Sequence, residues 1–476
     1  MSKSNRPDHL ASIAGDRKMH VVMFPWLAFG HMIPYLELAK FIARQGHKVS
    51  FLSTPRNILR FPNLPPDLAI DFISLSLPHV DQLPNHAEAT TDLCSSDIQF
   101  LEKAFDGLEP ELTRFLQNSS PDWIIYDFVP HWLPPIAGKL GISHALLLVF
   151  SAWFSGFFGP ASKLIETCAP ATAPEELTTP PKWIPFSTKV AYHIYEAKQM
   201  LQLFPVNRNK ASQVSAWLRF GSTISGCDVV AIRHCREFEP GWLTLLEELH
   251  QKPVVPVGLM PPSVEETSGD PGNEKWVLIS EWLSKQKSRS LVYVALGSEV
   301  TLSPEKFTEL ALGLELSGLP FFWTIRKPPG SSELPNGFEE RTSGQGVVWT
   351  SWAPQLRILS HDSVGGFLTH CGWGSIIEGI QFGQPLVMLP FGVDQGLNAR
   401  VFEEKKVGVE IPRDEQDGSF TRTSVAVSIR LVMVDNEGTI YRDKARDLSV
   451  LFGNKILHDQ YMENFVEHLQ NHRRQG

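Results

Sequence analysis

The chain has 476 residues, with 43 Lys and Arg against 52 Asp and Glu, so its net charge of −9 argues against nucleic acid as a partner. At 42% hydrophobic and 20% charged it is ordinary globular protein, long enough for roughly two to three domains. Five scattered cysteines (Cys94, Cys168, Cys227, Cys235, Cys371) fit neither a disulfide framework nor a CxxC metal pattern and point to a reducing compartment.

Residues 1–18 are polar, carry no secretory signal and read as a flexible leader. The chain then opens on a βαβ unit. His20–Phe24 is an apolar run suited to a parallel strand buried on both faces. The loop Pro25 to His31 follows, and Tyr35, Leu38, Ala39 and Ile42 give the apolar stripe of a helix ending near Gly46. Further strands are expected at Lys48–Leu52, Trp123–Tyr126 and Ala145–Val149. The most apolar stretch, Ala145–Gly159, falls short of the ~18–20 residues a membrane span needs and reads as buried strand plus helix. A cytoplasmic, monomeric protein is the expectation. Ala169 to Pro185, rich in Pro and Thr, reads as a surface excursion, and His47, His79 and His86 as surface residues.

Turn residues crowd together from Pro253 to Asn273, the strongest linker signal in the chain. Beyond it the α/β alternation restarts. Strands are expected at Leu291–Leu296, Phe321–Ile325, Val347–Trp349, Val364–Leu368 and Leu386–Leu389, and a helix after the cap Ser303-Pro304-Glu305. The expected division is an N-terminal domain at 19–255, a linker at 256–275, a C-terminal domain at 276–452 and a charged helix at 453–476. The alternation implies doubly wound parallel sheets.

The densest chemical signal is Trp352-Ala353-Pro354-Gln355, then His370-Cys371-Gly372-Trp373-Gly374-Ser375, then Glu378 and Asp394-Gln395. A strand ending at Thr369-His370 feeds a helix whose free N–H groups and dipole favour an anion such as diphosphate. Gly372 lets phosphates approach the backbone, His370 and Ser375 add donors, Glu378 can accept two ribose hydroxyls, and Trp352 offers a flat face for a base. Taken alone, the same pattern also fits a capped helix after a buried strand.

From Trp352 to Gln395 the chain resembles the signature box of plant family 1 UDP-glycosyltransferases, most closely the branch that adds a sugar to a sugar already on a flavonoid or terpenoid. The resemblance implies the GT-B fold, two Rossmann-like doubly wound domains facing across a cleft, and transfer of a hexose from a UDP-sugar to a small-molecule hydroxyl. UDP-glucose is the first donor expected and UDP-rhamnose the second. It implies that Trp352 stacks on uracil, Ala353 and Gln355 serve base and ribose, and Glu378 holds the ribose. His370, Gly372, Ser375 and Ser298 would hold the diphosphate, and Trp373, Asp394 and Gln395 the sugar. Gly374 departs from the family's usual Asn, so one side-chain contact is missing.

The same resemblance makes His31 the base and Asp127 its partner. The chemistry agrees, since an imidazole titrates near neutral pH and a carboxylate on its other nitrogen fixes the tautomer. No cofactor is expected, the UDP-sugar being a co-substrate. No metal is expected either, because Asp-x-Asp is absent. Phe128, His131, Trp132, Phe150 and Trp153 are candidate acceptor-pocket residues. A nicotinamide oxidoreductase would need Gly-x-Gly-x-x-Gly and a serine hydrolase Gly-x-Ser-x-Gly, and neither occurs. The remaining alternative is a nucleotide-sugar or glycoside binder without turnover, favoured by Gly374 and opposed by His31 and Asp127.

Overall fold

The computed structural model describes residues 18–204, 214–264, 273–325 and 333–474. Leader residues 1–17, linker residues 265–272 and the last two residues of the expected C-terminal helix lie outside the described residues.

Two parallel sheets organise the chain. The first holds β1 (His20–Phe24), β2 (Lys48–Ser53), β3 (Ile70–Ser74), β4 (Trp123–Tyr126), β5 (Ser143–Leu148), β6 (Val229–Ile232) and β7 (Val254–Pro256). Their order is β3-β2-β1-β4-β5-β6-β7. The second holds β8 (Leu291–Ala295), β9 (Phe321–Thr324), β10 (Gly346–Trp349), β11 (Val364–Thr369), β12 (Leu386–Met388) and β13 (Gly408–Glu410). Its order is β10-β9-β8-β11-β12-β13. Every described pairing is parallel, as expected for strands buried on both faces.

In each sheet the order reverses once, between β1 and β4 and between β8 and β11. Ligands of open α/β sheets bind at such switch points, beyond the carboxyl ends of the strands. The register places Phe24 beside Tyr126 and Ala295 beside Thr369. The segments that follow those four residues carry His31, Asp127, Ser298 and His370.

One apolar cluster runs continuously through both halves, from Phe24 and Tyr126 through Trp153, Phe238, Trp373 and Phe402 to Tyr293 and Phe367. A second lies on the other face of the first sheet, and a third on the other face of the second. The helix Lys455–His472 belongs to the second cluster through Met462, Phe465, Val466 and Leu469. Trp123 Nε1 donates to the Leu469 carbonyl at 2.8 Å, so the chain's end docks on the half in which the chain began.

Two readings of the sequence need correction. The loop containing His31 is shorter than expected, because a helix spans Phe29–Arg44 and His31 lies in its first turn. His47 is buried, accepting from the Met19 N–H and meeting Gln470, whereas His86 is exposed and His79 pairs with Asp81 at the surface. The Ala169 to Pro185 segment does run along the surface, with Thr172, Glu175, Lys182 and Pro185 exposed, anchored by buried Ala169, Ala171 and Leu177 and by Trp183 Nε1 on the Gly156 carbonyl. Among the described residues, no helix is long and apolar enough to cross a membrane.

Phe465 is fully buried under the first sheet. Phe465→Ala is therefore expected to cost roughly 3–5 kcal/mol, read as a fall in the urea midpoint of the first half.

Candidate active site

His31 is buried, with Nδ1 2.8 Å from Asp127 Oδ2. Asp127, only 1% exposed, directly follows β4, and its position is fixed by two backbone donors. Trp26 N–H donates to Oδ2 at 3.1 Å and Phe128 N–H to Oδ1 at 2.8 Å. With Nδ1 committed to the carboxylate, Nε2 is the ring nitrogen left to exchange a proton.

Burial is the largest single influence on His31 and would lower its pKa. Asp127, by charge and hydrogen bond, with Glu299 and Asp394, outweighs it, so the pKa is raised. Glu299 and Asp394 belong to the second half, so His31 feels the opposing site electrostatically. A direct bond spans the cleft as well, from Thr90 Oγ1 to Glu299 Oε1 at 2.5 Å.

The second half presents its groups around the end of β11. The helix Trp373–Ile380 starts there, with Gly372 as its N-cap and no side chain capping it. Cys371 holds a left-handed φ of 68°, a strained turn for a non-glycine residue. The His370 ring is wedged between two glycines. A Cβ on Gly297 would lie 2.7 Å from its Nε2, and one on Gly372 2.6 Å. Burial, with no carboxylate acting on it, pushes His370 down to about 4, so the ring is neutral at pH 7. Its Nδ1 has no hydrogen-bond partner among the described residues.

One turn into that helix, Glu378 accepts from Gln355 Nε2 at 2.6 Å, and the Tyr293 hydroxyl donates to Gln355 Oε1 at 3.3 Å. Burial raises the Glu378 pKa against the opposing pull of Gln355 and Arg233. Trp352 is 56% exposed, an unusual state for an indole, and its flat face is free to stack. Ala353 is half-buried beside it. Asp394 is buried and accepts from Asn398 Nδ2 at 2.9 Å, and burial pushes its carboxyl up to about 6. Gln395 Oε1 accepts from the Phe391 and Gly392 N–H groups, which leaves its NH₂ for a ligand. Ser298 lies on the exposed turn after β8, and Ser375 is half-buried in the first turn of the helix. Among the described residues no three His, Cys, Asp or Glu side chains group as metal ligands.

The proposed acceptor residues divide. Phe128 and Phe150 flank His31, with ring centroids 5.7 and 5.0 Å away. Trp153 does not line a pocket: it is fully buried, packs edge-on against Trp373 and donates to Asn398. Trp132 is nine-tenths buried with its Nε1 on Asp106. His131 opens onto a shallow groove of about 480 Å³ shared with His144, Gly226 and Arg474. That groove runs along the helix Leu133–Lys139, and none of His31, Phe128 and Phe150 lines it. The Trp373 indole likewise points into the core, with Nε1 on the Arg233 carbonyl, so only its main chain can reach a donor sugar.

Asn398 was not singled out in the sequence. Its Oδ1 accepts from Ser151 and Trp153 of the first half, and its Nδ2 donates to the Cys371 carbonyl and to Asp394. Its spacing of four from Asp394 on the helix Gln395–Glu404 was the available signal.

A family model described as UDP-glucoronosyl and UDP-glucosyl transferase matches residues 198–466. This chain belongs to that family. UDP-glycosyltransferase 91D1 of Stevia rebaudiana is 53% identical over 470 residues, covering 97% of this chain and 95% of the relative. Soyasaponin III rhamnosyltransferase of Glycine max is 42% identical over 465 residues, covering 97% of each. The structure of Phytolacca americana UGT2 complexed with UDP-2fluoro-glucose and pterostilbene superposes with a TM-score of 0.73 at 26% identity, covering 96% of this chain and 100% of that one. The protein is a plant-type UDP-glycosyltransferase of GT-B fold, transferring a sugar from a UDP-sugar to small molecules.

For this transferase, Gly297→Ala is expected to push the His370 ring aside and to weaken UDP binding at least about tenfold, the worth of one hydrogen bond. Titration calorimetry reads that loss, and because Gly297 holds a left-handed φ of 78°, stability is expected to fall by about 1–2 kcal/mol as well, read from the urea midpoint.

Proposed function

We propose that the enzyme adds a hexose, with inversion, to a sugar hydroxyl of a flavonoid or terpenoid glycoside. The observation that carries this is the buried His31–Asp127 pair at the switch point of one sheet, electrostatically coupled to Asp394 in the other half. His31 Nε2 takes the acceptor proton as the oxygen bonds to the anomeric carbon. The anomeric carbon–phosphate oxygen bond breaks on the opposite face, and UDP leaves with the electron pair. Asp127 stabilises the imidazolium as it forms.

The leaving diphosphate meets the helix N-terminus at Gly372, the neutral His370 ring, Ser375 and Ser298. Trp352 stacks on uracil, Gln355 and Glu378 take the ribose, and Asp394 with Gln395 takes the sugar hydroxyls. Activity in excess EDTA follows from a donor site of this kind. UDP-glucose is the first donor of this reading and UDP-rhamnose the second, which the name of the Glycine max relative supports, as it does a glycoside acceptor. Phe128 and Phe150 supply the apolar wall beside the base.

Purified protein offered glycosides and aglycones with each donor is expected to add mass to the glycosides. Gain on aglycones alone would overturn the acceptor class, and UDP binding without product would favour a binder lacking turnover.

The base must be neutral to act, and its partners raise its pKa. The acid limb of kcat/KM should therefore lie above 6.5, with activity lost as pH falls through it. Asp127→Asn removes the main raising influence and is expected to move that limb down. His31→Ala is expected to lower kcat by about 10²–10⁴-fold with UDP binding retained.

A further inference from the structure

Arg233 follows β6 in the first half and is 5% exposed. Its Nε donates to the Leu259 carbonyl at 2.8 Å and its Nη2 to the Met260 carbonyl at 3.2 Å, both in the segment that leaves the first sheet. Nη1 makes no hydrogen bond among the described residues and, not being one of the fully buried unpartnered atoms, opens onto solvent on the Gly374 side. It sits 3.5 Å from where a Cβ on Gly374 would stand, and nothing else lies within 4 Å of that point. Glu378 and Glu37 act on the guanidinium through space, but no carboxylate of the described residues is within ion-pairing distance.

A buried cation without a counter-ion is costly, and an Arg is rarely left so unless an anion completes it. Burial lowers Arg233 only to about 10, so it stays charged at neutral pH. Gly374 is the second residue of the helix Trp373–Ile380, on the turn whose N–H groups have no partner inside the helix. An anion seated on that turn lies within reach of Nη1. His370 is neutral and contributes no charge there.

We propose that Arg233 is a donor-site residue supplied by the first half, whose Nη1 passes over the bare Gly374 to hold the diphosphate of the UDP-sugar. The proposal rests on the helix N-terminus being the diphosphate seat. Gly374 then has a positive use: its missing side chain is the opening through which the guanidinium reaches the anion. The same guanidinium grips the Leu259 and Met260 carbonyls, so donor binding is felt where the chain crosses between the halves.

The competing role is a brace for those two carbonyls, with no ligand contact. Calorimetric titration of UDP and of uridine into wild type, Arg233→Gln and Arg233→Lys separates the two. Arg233→Gln is expected to weaken UDP about 10–100-fold while changing uridine less than about twofold. Arg233→Lys, which keeps the charge, is expected to fall between, and Gly374→Asn to recover part of the UDP affinity of Arg233→Gln. Equal losses for uridine and UDP, or no loss for UDP, overturn the proposal and leave a brace. Should Arg233→Gln not fold, the Lys variant decides, since a pure brace would weaken both ligands alike. Wild type that binds no UDP would instead overturn the donor-site reading itself.

Discussion

The amide of Asn398 joins the two halves of this enzyme. It is fully buried, and all four of its polar contacts are spent across or along the seam: Ser151 and Trp153 on one side, Cys371 and Asp394 on the other. A buried amide is costly unless satisfied, and here satisfaction requires both halves at once. The contact therefore fixes more than it stabilises. It sets the first helix after β5 against the strained turn at Cys371, and it orients the Asp394 carboxylate. Trp153 and Trp373 pack edge to face beside it, and Arg400, paired with Glu196 of the first half and Glu410 of the second, ties the same seam further along. With the seam set, the carboxyl edges of the two sheets have to oppose each other.

That opposition is why two switch points make one site. Each sheet alone offers a crevice, as any doubly wound sheet does. In the first, adjacent strands β1 and β4 bring His31 and Asp127, the base and partner of the proposed mechanism, together from segments about a hundred residues apart in sequence. In the second, β8 and β11 lead into the turns of Ser298 and His370, where the proposed mechanism seats the diphosphate. On that proposal neither crevice alone transfers a sugar, since one would lack a leaving-group site and the other a proton acceptor.

Much of this was legible in the sequence because it rests on local patterns. Short apolar runs bounded by glycine or proline gave nine strands to within a residue or two. The four strands not foreseen lack that signature. In β3, Ile70-Asp71-Phe72-Ile73-Ser74, an edge strand keeps polar residues in the run. β7 ends on Pro256 and merges with the turn residues after it, and β13 has only three residues, one of them Gly408 and one Glu410. β6 is the exception, since Val229–Ile232 is an apolar run just after the turn pair Ser225-Gly226. Residue type also cannot say which aromatic lines a pocket. Phe150 and Trp153 are three apart, yet one faces His31 and the other is sealed in the seam, because the helix between them turns away from the cleft. Arg233 was invisible for a related reason: the role proposed for it depends on Gly374, 141 positions away.

The two histidines of the site show how far burial alone fails to assign a role. His31 is buried and His370 half-buried, and withdrawal from solvent by itself disfavours the charged form. Around His370 nothing opposes that, and the ring is held neutral at about 4, suited to donating to phosphate without taking a proton from solvent. Around His31 the carboxylates of Asp127, Glu299 and Asp394 reverse the sign and raise its pKa, the direction a base role as proposed calls for. One fold thus holds two histidines at opposite shifts by placing carboxylates beside only one of them, which suits the donor and base roles proposed for them. Two of those three carboxylates come from the opposite half. The base is therefore most basic when the seam is closed, and parting the halves would remove part of what tunes it.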